Sequence, residues 1–274
     1  MRISRPPLLA LALALVIGGV LVPAQARAGG TIWRYNMFWS SGYLTQDPYF
    51  SACTAASTMM MLNFVALSGS GGNGFVWHTS TVKNRTGDSR DMTSIFSFAR
   101  AHDTLSAAGS GSDPHGWRNA LNYYGWGAHA LTPDTRVYDD RAYIGFDAAV
   151  KDAVVAIARY HMPVGVLAWG GGHAQVMTGY LATGENPATS TNFSVNAVYL
   201  TDPLAGDGVV NKLLYVNTLR LGPMVYRFRR YSQVDSPYDD PYTPGWILSS
   251  VRFRRSEWFT RYVLIVPIRA GLPG

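Results

Sequence analysis

The chain holds one cysteine, Cys53, and six histidines. An aromatic, non-helical approach, Tyr49-Phe-Ser-Ala-Cys53, leads into Thr54 to Leu67. That stretch is predicted to be a helix, with Ala56, Met59, Met60 and Phe64 on one face and Asn63 beside it. A thiol in the first turn of a helix meets free backbone amides and the positive end of the macrodipole, both of which favour thiolate. The other reading of Cys53 is a small buried core residue. Gln46 lies seven residues upstream, and its neutral amide could reach a charge developing beside the sulfur. Taken alone, it would be a surface glutamine.

A thiolate nucleophile needs a base. His78, His102 and His115 fall in polar stretches or on amphipathic helices and read as solvated or capping residues. His129 and His161 sit at element ends, where a structural hydrogen bond suffices. His173 differs: Gly170-Gly-Gly172 precedes it and the apolar run Ala174-Gln-Val-Met-Thr-Gly-Tyr180 follows, so it begins a strand. The glycines would let a substrate or another backbone come close to the imidazole. Asp202, in Tyr199-Leu-Thr-Asp202-Pro, ends the next strand and could hold the ring in one tautomer. An Asp-Pro pair after a strand is also an ordinary turn.

The elements that must position these groups follow from periodicity and breakers. Asp91 to His102 is a candidate helix. Ser112 to Gly125 carries its own signals: Asp113 to cap, Pro114 for the first turn and Gly125 for a left-handed exit. Phe146 to His161 is a further amphipathic helix. Val164 to Trp169, His173 to Tyr180, Ala197 to Leu200, Val209 to Val216, Val225 to Phe228 and Tyr262 to Ile268 are predicted strands. Helices first and strands later is the order of an α+β domain, a helical part packed on an antiparallel sheet. Ser68 to Gly74 is predicted to be an exposed loop.

Residues 1–28 resemble a secretory signal peptide, with basic Arg2 and Arg5, an apolar run of 15 residues from Leu8 to Val22, and Ala24-Gln-Ala26 as the cleavage site. The expectation is an exported protein whose remaining residues, 29–274, form one domain; an uncleaved anchor is the alternative. No cysteine lies near the cleavage site, which argues against a lipoprotein anchor. Loss of Arg2, Arg5 and Arg27, with no acidic residue beside them, takes the net charge from +6 to +3. So mild a surplus implies no nucleic-acid partner. No metal-ligand spacing and no phosphate loop is present, so no metal and no cofactor is expected. Arg227-Phe-Arg-Arg230 and Arg252-Phe-Arg-Arg255 read as strand-edge arginines facing water, or as a weak contact with an anionic cell-wall or membrane surface.

Three segments in order resemble the papain-like cysteine peptidase clan, specifically secreted relatives of the bacteriocin-leader-processing (double-glycine) peptidase family. They are Gln46 with Cys53-Thr-Ala-Ala-Ser-Thr-Met-Met-Met-Leu-Asn63, then Pro163 to Trp169 with Gly172-His173-Ala-Gln-Val-Met-Thr-Gly-Tyr180, then Leu200-Thr-Asp202-Pro203. The resemblance spans roughly residues 40 to 205, with Tyr262 to Pro267 as a closing strand. It implies a papain-like fold and a thiol hydrolase or acyl-transferase acting on a peptide or amide. Cys53 would be the nucleophile, His173 the base, Asp202 its orienter and Gln46 the oxyanion donor. Ala52 and Thr54 flank the cysteine where many relatives carry an acidic residue or glycine. Leader-processing members are joined to a membrane transporter, so leader cleavage is not carried over. The Asp-Cys-Ser-Gly usual in the NlpC type of cell-wall endopeptidase is absent. The alternative is a non-catalytic peptide- or glycan-binding module on the same fold.

Overall fold

The computed structural model describes residues 30–47, 49, 51–68, 81–83, 89–103, 111–204, 208–232 and 257–271. The segment expected to be a signal peptide, the glycine-serine stretch after Ser68, His78 and the Arg252–Arg255 cluster lie outside them. From Thr31 onward the chain forms one compact unit. In chain order the elements are β1 (Ile32–Asn36), α1 (Cys53–Ser68), β2 (Thr81–Lys83), β3 (Ser89–Asp91), α2 (Met92–Ala101), α3 (Pro114–Trp126) and β4 (Tyr138–Tyr143). Then come α4 (Phe146–Tyr160), β5 (Val164–Ala168), β6 (His173–Gly184), β7 (Phe193–Thr201), β8 (Lys212–Tyr215), α5 (Val216–Leu221) and β9 (Tyr262–Pro267). Among the described residues no helix is long and apolar enough to cross a membrane.

Seven strands make one antiparallel sheet in the order β4-β9-β5-β6-β7-β8, and β1 pairs with the far half of β6. The architecture is α+β. Its order is not helices first: β1 precedes α1, and β4 separates α3 from α4. These two strands escape a periodicity search because β4, Tyr-Asp-Asp-Arg-Ala-Tyr, is a polar edge strand. β1 alternates exposed and half-buried residues.

The helix α1 is buried on every side from Cys53 to Val65, so no separate apolar face exists. Hydrophobic residues all round a helix require a layer on both flanks. Here β6 covers one flank and α2 and α3 cover others. Two of its buried polar side chains find carbonyl partners: Thr58 Oγ1 donates to the Thr54 carbonyl at 2.8 Å and Asn63 Nδ2 to the Gly42 carbonyl at 3.1 Å.

The cap expected at Asp113 is present, accepting the Gly116 N–H at 2.8 Å with Pro114 in the first turn. The exit differs. Gly125 stays helical, where a Cβ would lie 2.9 Å from Leu62 of α1, and the chain leaves at Gly127, with φ 89°. Gly125 is thus a packing glycine. Val209 to Val216 holds only the short β8 before turning into α5. Val225 to Phe228 is no strand: a 3-10 turn covers Met224–Tyr226. Phe228 is buried against Phe146 and Tyr262, so its apolar residues fill a gap rather than alternate across a sheet.

Where α2 meets α3, Asp103 Oδ1 accepts the Asp113 N–H at 2.9 Å. Burial, with the Asp113 charge adding to it, pushes the Asp103 carboxyl up to about 8. A carboxyl that holds its proton more tightly when folded lowers stability as pH rises from about 4 to about 8. Asp103→Asn keeps the acceptor and removes the charge. Its melting temperature should match the parent at pH 4 and exceed it by several degrees at pH 8, at roughly 2–4 °C per kcal/mol for a chain of this size. A thermal scan at the two pH values checks this.

Candidate active site

Cys53 is the first residue of α1 and is 7% exposed. One turn on, Ser57 Oγ donates to the Ala174 carbonyl at 3.1 Å. That bond clamps the start of the helix to the residue after His173, setting the thiol beside the first residue of β6. His173 itself is 1% exposed, and Asp202 and Gln46 are fully buried.

His173 Nε2 lies 2.6 Å from Asp202 Oδ1. Asp202 directly follows β7, and its turn is held by its own N–H on the Val209 carbonyl at 2.8 Å and by Asn211 N–H on Thr201 Oγ1 at 3.1 Å. Its carboxylate also accepts the Leu204 N–H at 2.7 Å on Oδ1 and the Gln175 amide on Oδ2. The carboxylate is therefore dry but hydrogen-bonded, the condition under which a charge can stay buried. The second ring nitrogen, Nδ1, has no partner of regular hydrogen-bond geometry. Burial pulls the proton affinity of His173 down, yet the hydrogen bond to Asp202 and the neighbouring Cys53 outweigh it and push the ring up to about 10. Nε2 being occupied by Asp202, Nδ1 is the nitrogen left for the thiol.

Gln46 reaches the same corner through its backbone, whose N–H donates to the Pro203 carbonyl at 2.8 Å. The approach to the cysteine and the loop after Asp202 are thus joined directly.

Two side chains at this site were not singled out by sequence reasoning. The strand expected through Trp169 ends at Ala168, because Trp169 takes φ 56° and opens the turn. Its indole stacks on the His173 ring at 4.4 Å between centroids and 28° between planes. Gln175, two residues along β6, is the other. An aromatic before a glycine run and an amide in an apolar strand were the available signals. The glycine turn does admit a close neighbour, and that neighbour is the chain itself: a Cβ on Gly171 would meet the Tyr231 ring at 2.3 Å, and Ser232 N–H donates to the Gly170 carbonyl at 2.6 Å.

No protein-family model, curated protein or solved structure matches the chain. What the site can do therefore rests on its chemistry. A buried imidazole paired with a carboxylate beside the one thiol is an arrangement for proton transfer to and from sulfur.

Among the described residues, the other histidines have surroundings of their own. His102 Nδ1 sits 2.8 Å from the Phe98 carbonyl, and its ring stacks on Phe98. His161 is the left-handed cap of α4 and stacks on Tyr35, while His129 is exposed. His115 is not simply solvated: it lies 3.4 Å from Asp140 and 3.0 Å from Glu257. These three residues are far apart in sequence, so no spacing motif could reveal the cluster. Asp140 already holds Arg118 at 2.6 Å and the Trp258 indole N–H at 2.8 Å, and the guanidinium opposes a bound cation there. Burial pulls His115 down, and Asp140 more than reverses this. Arg227 Nε donates to the Gly222 carbonyl at 2.8 Å and Arg230 lies over the Tyr262 ring, so two of the clustered arginines make contacts within the chain rather than on a strand edge.

Proposed function

We propose that the chain is an exported, papain-like thiol hydrolase or acyl-transferase acting on a peptide or amide carbonyl. The observation that supports this most is the buried His173–Asp202 hydrogen bond whose free ring nitrogen is left to the single cysteine. In the reaction, His173 takes the Cys53 thiol proton, Sγ attacks the carbonyl carbon and a C–S bond forms. The carbonyl electrons move to oxygen, where the Cys53 N–H and the Gln46 amide stabilise the oxyanion. His173 gives its proton to the leaving amine, the C–N bond breaks, and a thioester remains. Water or an acceptor amine then attacks the thioester, His173 takes its proton, and the thiolate departs. Asp202 holds the ring and balances the imidazolium throughout.

Incubation with a peptide panel, read by mass spectrometry, tests the reading. New fragments or transfer products are expected from the native protein and none from Cys53→Ala. Peptide retained by the native protein without any product would place the chain among binding modules instead.

A further inference from the structure

We propose that Gln175 is a positioning residue of this site, keeping the Asp202 carboxylate charged and turned toward the His173 ring. The proposal rests on the reading of Cys53 as nucleophile. His173 and Gln175 are two apart on β6, so both side chains leave the same face of the strand. Both meet Asp202, which stands at the end of neighbouring β7. The amide of Gln175 has two N–H donors, and both are committed: one to Asp202 Oδ2, the other to the Val225 carbonyl at 2.6 Å. That carbonyl also accepts the Trp169 indole N–H at 3.3 Å, so one anchor serves the amide and the ring stacked on His173.

The opposite end of the amide is the informative part. Gln175 is fully buried, and its Oε1 has no hydrogen-bond partner among the described residues. Leaving a buried acceptor unmet costs stability, whereas an apolar side chain of the same shape carries no such penalty. A glutamine is thus a poor choice for packing here and a good one for donating to Asp202. Asp202 has no exposed surface, so water cannot replace that donor on Oδ2. A dry carboxylate stripped of a donor takes a proton more readily. Once neutral, it no longer balances an imidazolium. The titratable groups bearing on His173 are Asp202 at the end of β7 and Cys53 on α1.

The lone thiol makes the test direct, with iodoacetamide as the probe on the full protein from pH 5 to pH 8.5. Gln175→Met removes the unmet Oε1 but leaves Asp202 Oδ2 without its donor, so it should fold with a modestly lower melting point, and its rates are expressed per folded molecule. Its Cys53 alkylation at pH 5 should fall at least tenfold relative to the parent, and the two rates should come within about threefold at pH 8.5. Gln175→Glu, whose protonated carboxyl restores one donor at acid pH, should recover more than half of the rate lost at pH 5. Equal rates at every pH, one constant deficit across the range, or failure of Gln175→Met to fold would each make Gln175 a structural residue and overturn the proposal. If the underlying reading of Cys53 is what fails, the parent itself will alkylate no faster than free cysteine.

Discussion

Replacing His173 by alanine is expected to reduce turnover by roughly 10⁴-fold or more, because the variant loses the base proposed to serve the thiol. Alanine also strands the fully buried Asp202 carboxylate, which still holds Leu204 and Gln175 but has lost the imidazole. Breaking a buried pair by removing one partner costs about 3–5 kcal/mol, so activity must be expressed per folded molecule. His173→Gln supplies the control, since its amide N–H can still donate toward Asp202 without acting as a base. Both variants should be inactive on the peptide panel, with His173→Gln melting closer to the parent. Turnover within tenfold of the parent in a folded His173→Gln protein would remove His173 from the chemistry.

The second large effect belongs to Asp202. From sequence alone, an asparagine there should still accept the ring N–H and keep measurable activity. The structure sharpens this expectation, because three donors converge on the carboxylate: His173, Leu204 and Gln175. An asparagine that keeps its oxygen toward His173 and Leu204 turns its own NH₂ against the Gln175 NH₂. Asp202→Asn should therefore lose about 10²- to 10³-fold in turnover and remain detectable, and Asp202→Ala should fall further. Stability should follow pH in a defined direction. His173 is pushed up to about 10 in the folded chain. A raised base contributes stability that is complete below the unfolded value of about 6.5 and fades as pH climbs toward 10. Urea unfolding should accordingly separate Asp202→Ala from the parent most widely at pH 6 and less at pH 9.5. Full parental turnover with only a lowered melting point would reduce Asp202 to a strand terminator.

Local chemistry explains which features the sequence disclosed. The start of α3 was legible because Asp113 and Pro114 are neighbours whose roles depend on the first turn alone. Its end was not, since choosing between Gly125 and Gly127 depends on Leu62 of another helix. Amphipathic α4 shows its period plainly, and β9 shows as an unbroken apolar run. β4 hides behind two aspartates and an arginine because an edge strand tolerates charge. The apolar residues of Val225 to Phe228 looked like a strand and are instead a plug against α4 and β9. At the site, Cys53, His173 and Asp202 stood out by residue type beside breakers and strand ends. Gln175 and Trp169 did not, because their partners lie 27 and 56 residues away and only the pairing of β6 with β7 and the return of the chain at Val225 bring them in.

The alkylation rate of Cys53 by iodoacetamide at pH 6, set against free cysteine in the same buffer, bears most directly on the central claim. No second cysteine contributes to the signal. An ordinary thiol is almost wholly protonated at that pH, while one facing an imidazolium supported by a buried carboxylate is held as the reactive anion. The account predicts a rate at least about tenfold above free cysteine that is lost in His173→Gln. A rate equal to or below that of free cysteine, unchanged by His173→Gln, would contradict it.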